Sequence, residues 1–245
     1  MMPYAFILGG TGQIGRATAE HLRDGGWSVT LAHRGQRPVP PSFLARGIKV
    51  VTVDRRQDSE LARALSGGAD LLADAVAYGP EDARQLLTLQ RSLGAIVVIS
   101  SASVYCDGAG RTLDEAAETG FPRLPDPISE RQSTVEPGHQ TYSTRKVALE
   151  RALLERAAVP VTVLRPGAIS GQGSQHAREW WFVKRVLDRR RRIPLAYRGL
   201  SRFHTASVEN IAELIRTAAP LAGQQILNIA DPVAPTVAEI GCLIA

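Results

Sequence analysis

A short glycine-rich turn near the start of the chain constrains the fold more than any other feature. Residues 4–8 form an apolar run as long as a buried strand, and residues 17–23 show the spacing of an amphipathic helix. Glycine lets the backbone approach a pyrophosphate, and a helix N-terminus offers that anion free N–H groups. This context favours a dinucleotide-binding turn over a plain glycine-rich loop. The predicted turn consists of Gly9, Gly10, Thr11, Gly12, Gln13, Ile14 and Gly15.

The second predicted strand, residues 28–32, ends without the acidic residue that would bind the ribose hydroxyls of NAD. His33 and Arg34 follow it, and Arg37 lies three residues further on. Guanidinium groups attract a 2′-phosphate, whereas a carboxylate repels it. The sequence therefore favours NADP(H) as the cofactor, with NAD(H) as the alternative. Solvated loop arginines are the other interpretation of Arg34 and Arg37.

Strands and helices alternate along the chain, which predicts an α/β fold with a Rossmann-type, doubly wound parallel sheet of about seven strands. We assign residues 1–169 to a dinucleotide-binding domain, with sheet elements returning at about 200–230. Residues 170–245 are assigned to a small C-terminal substrate-binding part. A helix predicted from Thr236 still continues at Ala245, which suggests that residues are missing after that point. The later strands are predicted over 47–53, 71–77, 95–99, 161–164 and 225–229, and a helix is predicted over 81–93.

Composition excludes several classes of protein. The chain has 245 residues, of which 44% are hydrophobic, and no apolar stretch approaches the ~20 residues that span a membrane. Cys106 and Cys242 form neither a disulfide framework nor a CxxC metal site, and the five histidines show no metal-ligand spacing. No Gly-x-Ser-x-Gly elbow of a hydrolase is present. We expect a cytoplasmic protein with no metal site and no membrane partner.

The net charge of +5 arises partly from a basic run at residues 189–192, with Arg178, Lys184 and Arg185 shortly before it. This run could be a solvated helix end, a binding site for a phosphorylated small molecule, or a nucleic-acid surface. Two segments, 107–140 and 170–205, interrupt the alternation of strands and helices. Both follow carboxyl ends of predicted strands, where open α/β sheets bind ligands, so we expect them to form the substrate site.

Three further residues form a candidate catalytic group. Tyr142 and Lys146 are four residues apart, which places them on one face of a predicted helix. A nearby ammonium would lower the pKa of a tyrosine from about 10, so that it could exchange a proton near neutral pH. Ser101 follows the aliphatic strand 95–99, and its hydroxyl could bind a substrate oxygen beside the tyrosine. Together with the glycine turn, these residues predict proton transfer next to a nicotinamide.

These motifs resemble the short-chain dehydrogenase/reductase superfamily, and most closely its extended NAD(P)-dependent epimerase/dehydratase branch. The resemblance covers nearly the whole chain and includes Gly9-x-x-Gly12-x-x-Gly15, Tyr142-x-x-x-Lys146 and the segments 100–105 and 164–167. It implies that Tyr142 is the general acid/base, Lys146 its partner and Ser101 the polarising hydroxyl. It also implies that the cofactor contacts Asp54, Arg55, Ala77, Tyr78, Pro166, Tyr142 and Lys146.

Two departures from the resembled pattern bear on the chemistry. Dehydratases of this branch carry Asp-Glu after the catalytic hydroxyl residue, where this chain has Ala102-Ser103, and Ala168 replaces an asparagine that often contacts substrate. We therefore expect an NAD(P)-dependent oxidoreductase that transfers hydride at a carbonyl or alcohol carbon. Its substrate would be a small molecule, phosphorylated or nucleotide-linked. The alternatives are a nucleotide-sugar epimerase with tightly bound cofactor, and a non-catalytic dinucleotide sensor or RNA-binding protein. The resemblance also implies a homodimer.

Overall fold

The computed structural model describes residues 2–174, 176 and 178–245, and it contains a seven-stranded parallel sheet. The strand order is β3-β2-β1-β4-β5-β6-β9, as expected of a doubly wound Rossmann-type sheet. Two short strands, β7 and β8, pair separately beside it. The strands are β1 Tyr4–Leu8, β2 Ser28–His33, β3 Lys49–Thr52, β4 Ala69–Asp74, β5 Leu93–Ile99, β6 Val161–Pro166, β7 Ala168–Ser170, β8 Thr205–Ser207 and β9 Gln224–Ile229.

Helices cover both faces of this sheet, so the strands are apolar on both sides. Alternate β1 residues point to opposite faces: Ile7 belongs to the core beneath α1 and α8, and Phe6 to the core beneath α3, α4 and α6. The prediction of a doubly wound α/β fold is confirmed. The helices are α1 Gln13–Asp24, α2 Pro41–Ala45, α3 Asp58–Ala64, α4 Pro80–Leu89, α5 Ala116–Thr119, α6 Tyr142–Arg156, α7 Trp180–Leu187, α8 Val208–Ala218 and α9 Val237–Ile244.

The predicted ends of β4 and α4 differ from the structure. The strand expected over 71–77 ends at Asp74, because the Asp74 carboxylate accepts the N–H groups of Val76 and Ala77 and turns the chain. The helix expected over 81–93 ends at Leu89, and a 3₁₀ turn then leads into β5. Both differences shorten an element where local hydrogen bonds compete with its regular pattern.

The segment 107–140 packs beside the carboxyl end of β5. Tyr105 forms an antiparallel bridge with Thr134, and Leu124, Ile128 and Val135 pack on Val104, Tyr105 and Val147. The second segment, 170–205, contains α7, which packs against α9. In the part of the chain that the structure describes, no helix has the length and apolar character needed to cross a bilayer.

Candidate functional site

The glycine turn joins β1 to α1 with close backbone contacts. A Cβ on Gly15 would lie 2.5 Å from the Gly9 carbonyl oxygen, and one on Gly10 would lie 2.0 Å from Leu31 Cγ. Gly9 has φ +78°, which disfavours other residues. Gly12 precedes α1 as its N-cap and provides no side-chain cap, so the N–H groups of the first helical turn remain available at the glycine turn. These features fit a bound pyrophosphate, beside a cavity of about 200 Å³ that Arg37 also lines.

A cavity of about 380 Å³ adjoins this turn at the carboxyl ends of β1, β2 and β3. Four guanidinium-bearing residues line it, together with Asp54 and Asp82 as carboxylates. The Arg56 side chain and its N–H donate to Asp54 and lower the pKa of that carboxyl group to about 2, so Asp54 remains charged. The cavity brings together several predicted cofactor residues, namely Gly9, Thr11, Gly12, His33, Arg34, Asp54, Arg55 and Tyr78.

Gln13, Ile14, Ala77 and Pro166 are further predicted cofactor residues. Gln13 and Ile14 line the smaller cavity, where the Ile14 side chain also packs into the core. Ala77 is buried, and its carbonyl binds Lys146. Pro166 is buried at the end of β6, paired with Ile229 of β9.

The structure brings the three candidate catalytic residues together. Tyr142 begins α6, which is capped by Thr141: its Oγ1 accepts the N–H of Thr144 at 3.2 Å. The Lys146 Nζ lies 5.6 Å from the centre of the Tyr142 ring. Ser101 lies two residues after the end of β5, and its hydroxyl interacts with Tyr142, which lowers the pKa of the phenol. The carboxyl end of β5 and the first turn of α6 therefore present a hydroxyl, a phenol and an ammonium at one place.

The electrostatics of this group differ from the expectation in one respect. Burial raises the pKa of Tyr142, with a smaller contribution from the Asp114 carboxylate, while the hydrogen bond with Ser101 lowers it. The expected lowering by the ammonium was wrong for the free protein. The Lys146 Nζ instead donates to the carbonyls of Ala77 at 2.6 Å and Ile99 at 2.8 Å. Burial lowers the pKa of Lys146 to about 8.

Sequence reasoning missed Asp114, which lies in the segment 107–140. Its Oδ2 accepts the N–H of Ser143 at 3.0 Å and lies 2.6 Å from the Ser143 Oγ, beside the start of α6. A carboxylate is favourable at a helix N-terminus because unpaired N–H groups concentrate positive charge there. Nothing in the spacing of residues 114 and 143 could have revealed this contact.

A buried polar network beneath the catalytic group was also missed. Ser100 Oγ donates to Glu150, and Arg165 donates to both carboxylate oxygens of Glu150 and to the Tyr105 hydroxyl. The Tyr105 hydroxyl donates to Asn228 Oδ1 at 2.7 Å. The sequence did contain an indication, because an arginine inside an apolar strand needs a buried partner.

A third cavity, of about 460 Å³, lies in the predicted substrate region between α7 and α9. Aromatic and aliphatic side chains line most of it, including Trp181, Phe182 and Phe203. Arg178 also lines it, 5.5 Å from the centre of the Phe203 ring. The basic run at residues 189–192 is exposed. Over residues 2–174, 176 and 178–245, no group of three His, Cys, Asp or Glu side chains could hold a metal ion.

Comparisons with known proteins agree with this arrangement. The sequence profile of the NAD dependent epimerase/dehydratase family matches residues 5–230. Among curated proteins, none matches the chain.

Many solved structures share the fold. Epimerase Mth375 from Methanothermobacter thermautotrophicus has a TM-score of 0.73 and 17% identity, with coverage of 99% of this chain and 76% of that one. The UDP-N-acetylglucosamine 4-epimerase from Bacillus cereus has a TM-score of 0.70 and 16% identity, covering 99% and 80%. The Bordetella bronchiseptica enzyme WbmH, solved with NAD+, has a TM-score of 0.71 and 16% identity, covering 98% and 79%.

Proposed function

Because the chain belongs to the NAD dependent epimerase/dehydratase family, we propose that it is an epimerase acting on a nucleotide-linked sugar. The observation that carries the proposal is the meeting of Ser101, Tyr142 and Lys146 near the cavity that adjoins the glycine turn. The neighbouring structures include a UDP-N-acetylglucosamine 4-epimerase, which supports this substrate class over the simple reductase expected from the sequence.

The residues of this chain would move the proton that accompanies redox chemistry at one carbon. A bound nicotinamide dinucleotide would supply reversible hydride transfer in this site. Tyr142 would accept the proton of the substrate hydroxyl and return it after the carbon is re-reduced. Ser101 would hydrogen-bond the same substrate oxygen and, through its bond with Tyr142, stabilise the phenolate. The Lys146 ammonium, which lies 5.6 Å from the centre of the Tyr142 ring, would help to bind the cofactor beside this phenol.

The third cavity suits the nucleotide part of such a substrate. Trp181 and Phe203 offer aromatic surfaces for a base, and the Arg178 guanidinium suits a diphosphate. In this proposal the nucleotide would occupy this cavity and the reacting sugar would extend toward Tyr142. Binding at this remote cavity would hold the sugar while the reacting carbon is oxidised and re-reduced.

For the cofactor, we propose a preference for NADP(H) over NAD(H). Support comes from the end of β2, where His33 and Arg34 replace an acidic residue, and from Arg34 and Arg37 in the cavity lining. The carboxylate of Asp54 is engaged by Arg56, which reduces its repulsion of a 2′-phosphate. Calorimetric titration with NADPH and NADH tests this preference. Arg34→Ala should weaken NADPH binding while leaving NADH binding nearly unchanged; equal losses for both would contradict the proposal.

The epimerase proposal is tested by product analysis with UDP-hexoses and a catalytic amount of cofactor. Conversion of one UDP-hexose to its epimer without net cofactor reduction supports it, whereas cofactor reduction in step with substrate loss supports a dehydrogenase. Tyr142→Phe should reduce turnover by about 10²–10⁴-fold while retaining cofactor binding. Tyr4→Phe, at the start of β1, is the matched control and should retain turnover. If the wild-type protein binds neither cofactor, the proposal fails.

A further inference from the structure

Two carboxylates hold the turn between β4 and α4. This turn comprises residues 76–79. Asp74 Oδ1 accepts the N–H groups of Val76 and Ala77, at 2.9 and 2.8 Å. Asp82 Oδ2 accepts the N–H groups of the next two residues, at 2.6 and 3.1 Å. Four successive backbone donors are thus bound by two side chains, which fixes the path of this turn.

Arg55 connects the two carboxylates. Its Nη1 lies 2.6 Å from Asp74 Oδ2, and its Nε lies 3.1 Å from Asp82 Oδ1. The Asp74 side chain is fully buried and the Arg55 side chain is 12% exposed. Arg55 follows β3 and lines the 380 Å³ cavity, so this three-residue cluster lies between that cavity and the turn.

This turn contacts Lys146, Tyr142 and the glycine turn. The Ala77 carbonyl accepts a hydrogen bond from Lys146 Nζ at 2.6 Å. The Tyr78 ring lies 5.4 Å from the Tyr142 ring, at an interplanar angle of 56°. Val76 occupies the space beside Gly9, where a Cβ on the glycine would lie 2.4 Å from Val76 Cγ1. A displacement of this turn would therefore move the ammonium, the phenol and the cofactor turn together.

We propose that Arg55, Asp74 and Asp82 are positioning residues, which place Lys146 and Tyr142 through the turn at residues 76–79 and connect them to the adenosine end of the cofactor cavity. This proposal rests on the proposed function, because the catalytic roles of Lys146 and Tyr142 belong to that function. The quantity that the test measures is the pKa of Lys146, which depends on the position and surroundings of its ammonium and not on turnover. The hydrogen bonds of the Asp74 carboxylate go to Arg55 and to the backbone of this turn, so its effect on catalysis is transmitted through Lys146 and Tyr142.

The charges around Lys146 allow a test in which two substitutions should shift its pKa in opposite directions. Burial is the main cause of its lowered pKa; the carboxylates of Asp74, Asp82 and Glu150 raise the pKa, and Arg55 lowers it. Tyr142 is the other titratable group beside the ammonium. Replacing Asp74 by asparagine keeps the shape and an acceptor oxygen but removes the negative charge, so the Lys146 pKa should fall further. Replacing Arg55 by glutamine should raise it.

The experiment is a pH titration of the full chain labelled with ¹³C-lysine, followed by NMR. The chain contains three lysines, Lys49, Lys146 and Lys184, and the variant Lys146→Arg assigns the resonance of interest. We expect Asp74→Asn to lower the Lys146 pKa and Arg55→Gln to raise it, each by roughly half a unit to one unit.

Asp107→Asn is the matched control. Asp107 is also a buried aspartate that pairs with an arginine, Arg111, and accepts backbone N–H groups. It is not among the groups that shift the pKa of Lys146. Any general loosening of the fold should act equally in this control, and its Lys146 pKa should stay at the wild-type value.

Two results would overturn the proposal: an unchanged Lys146 pKa in both variants, or a rise in both toward the ordinary lysine value, which would show only that water enters the site. If Asp74→Asn does not fold, Asp82→Asn replaces it, with the same expected fall. The measurement uses neither substrate nor cofactor. If the epimerase assay fails but the predicted pKa shifts are observed, the proposed function is rejected and the positioning role of Arg55, Asp74 and Asp82 is retained.

Discussion

Removal of Arg165 should destabilise the protein strongly, because this arginine neutralises a buried carboxylate. The side chains of Arg165 and Glu150 are 4% and 2% exposed. Arg165 Nε lies 3.1 Å from Glu150 Oε1, Nη2 donates to Oε2, and Nη1 lies 3.0 Å from the Tyr105 hydroxyl. Arg165→Met retains most of the apolar length of the side chain and removes the charge with its three hydrogen bonds.

The expected loss follows from the burial of the remaining partner. Glu150 would keep a charged carboxylate with Ser100 as its remaining hydrogen-bond donor, and breaking such a buried pair costs about 3–5 kcal/mol. A domain has a total free energy of unfolding of about 5–15 kcal/mol, so the loss would be a large fraction of the stability. The network also reaches Ser100, the neighbour of Ser101, so turnover should fall as well.

Urea unfolding followed by circular dichroism measures this loss. The double variant Arg165→Met/Glu150→Leu removes both charges and should recover most of the lost stability, because an apolar pair can replace a buried ion pair at little cost. Arg151→Met is the control: Arg151 pairs with Glu136 at 3.2 Å, but both side chains are exposed, so its loss should stay below about 1 kcal/mol. If Arg165→Met costs no more than this control, or if the double variant is as unstable as the single one, the argument is refuted.

Three further predictions concern the site itself. The pKa of Lys146 in the folded protein, about 8, lies below the ordinary lysine value of 10.5. The stability of the wild type relative to Lys146→Met, measured by urea unfolding, should therefore be constant below pH 8 and rise by about 3 kcal/mol as the pH increases to 10.5. Gly15→Ala places a Cβ 2.5 Å from a turn carbonyl and should weaken NADPH binding by about tenfold or more, while Gly108→Ala, with nothing within 4 Å, should not; calorimetry distinguishes them. Asp114→Asn should lower the pKa of Tyr142, so that the absorbance of the phenolate appears at lower pH. An unchanged titration would contradict the contribution of the Asp114 carboxylate to this pKa.

Local patterns predicted the fold and the order of the site elements. The apolar run before Gly9, the aliphatic run before Ser101 and the four-residue spacing of Tyr142 and Lys146 are all read within one or two elements. In a parallel sheet the strand carboxyl ends lie at one edge, so residues that follow strands meet there without further information. The seven-stranded parallel sheet confirms this reasoning. The cofactor preference, the division at residue 169, the cytoplasmic location and a homodimer remain predictions.

Contacts between distant positions were beyond such patterns. Arg55 meets Asp74 across 19 residues, and Asp114 meets Ser143 across 29, with loops between that no periodicity constrains. The direction of the Tyr142 pKa shift was wrong for a related reason. Helical spacing places Lys146 near the phenol, but it does not reveal that two carbonyls bind the ammonium or that burial disfavours the phenolate.

The surroundings of Tyr142 also bear on the type of reaction. Elimination of water needs a second acid/base group beside the one that moves the hydroxyl proton, whereas oxidation and re-reduction of one carbon needs a single proton carrier. Positions 102 and 103 carry alanine and serine, and the Ser103 Oγ lies 3.1 Å from the Ser143 Oγ. The nearby carboxylate of Asp114 is engaged by Ser143 at the start of α6. With Tyr142 as the proposed proton carrier and its neighbours in structural hydrogen bonds, these contacts favour the proposed epimerisation through reversible redox chemistry over dehydration.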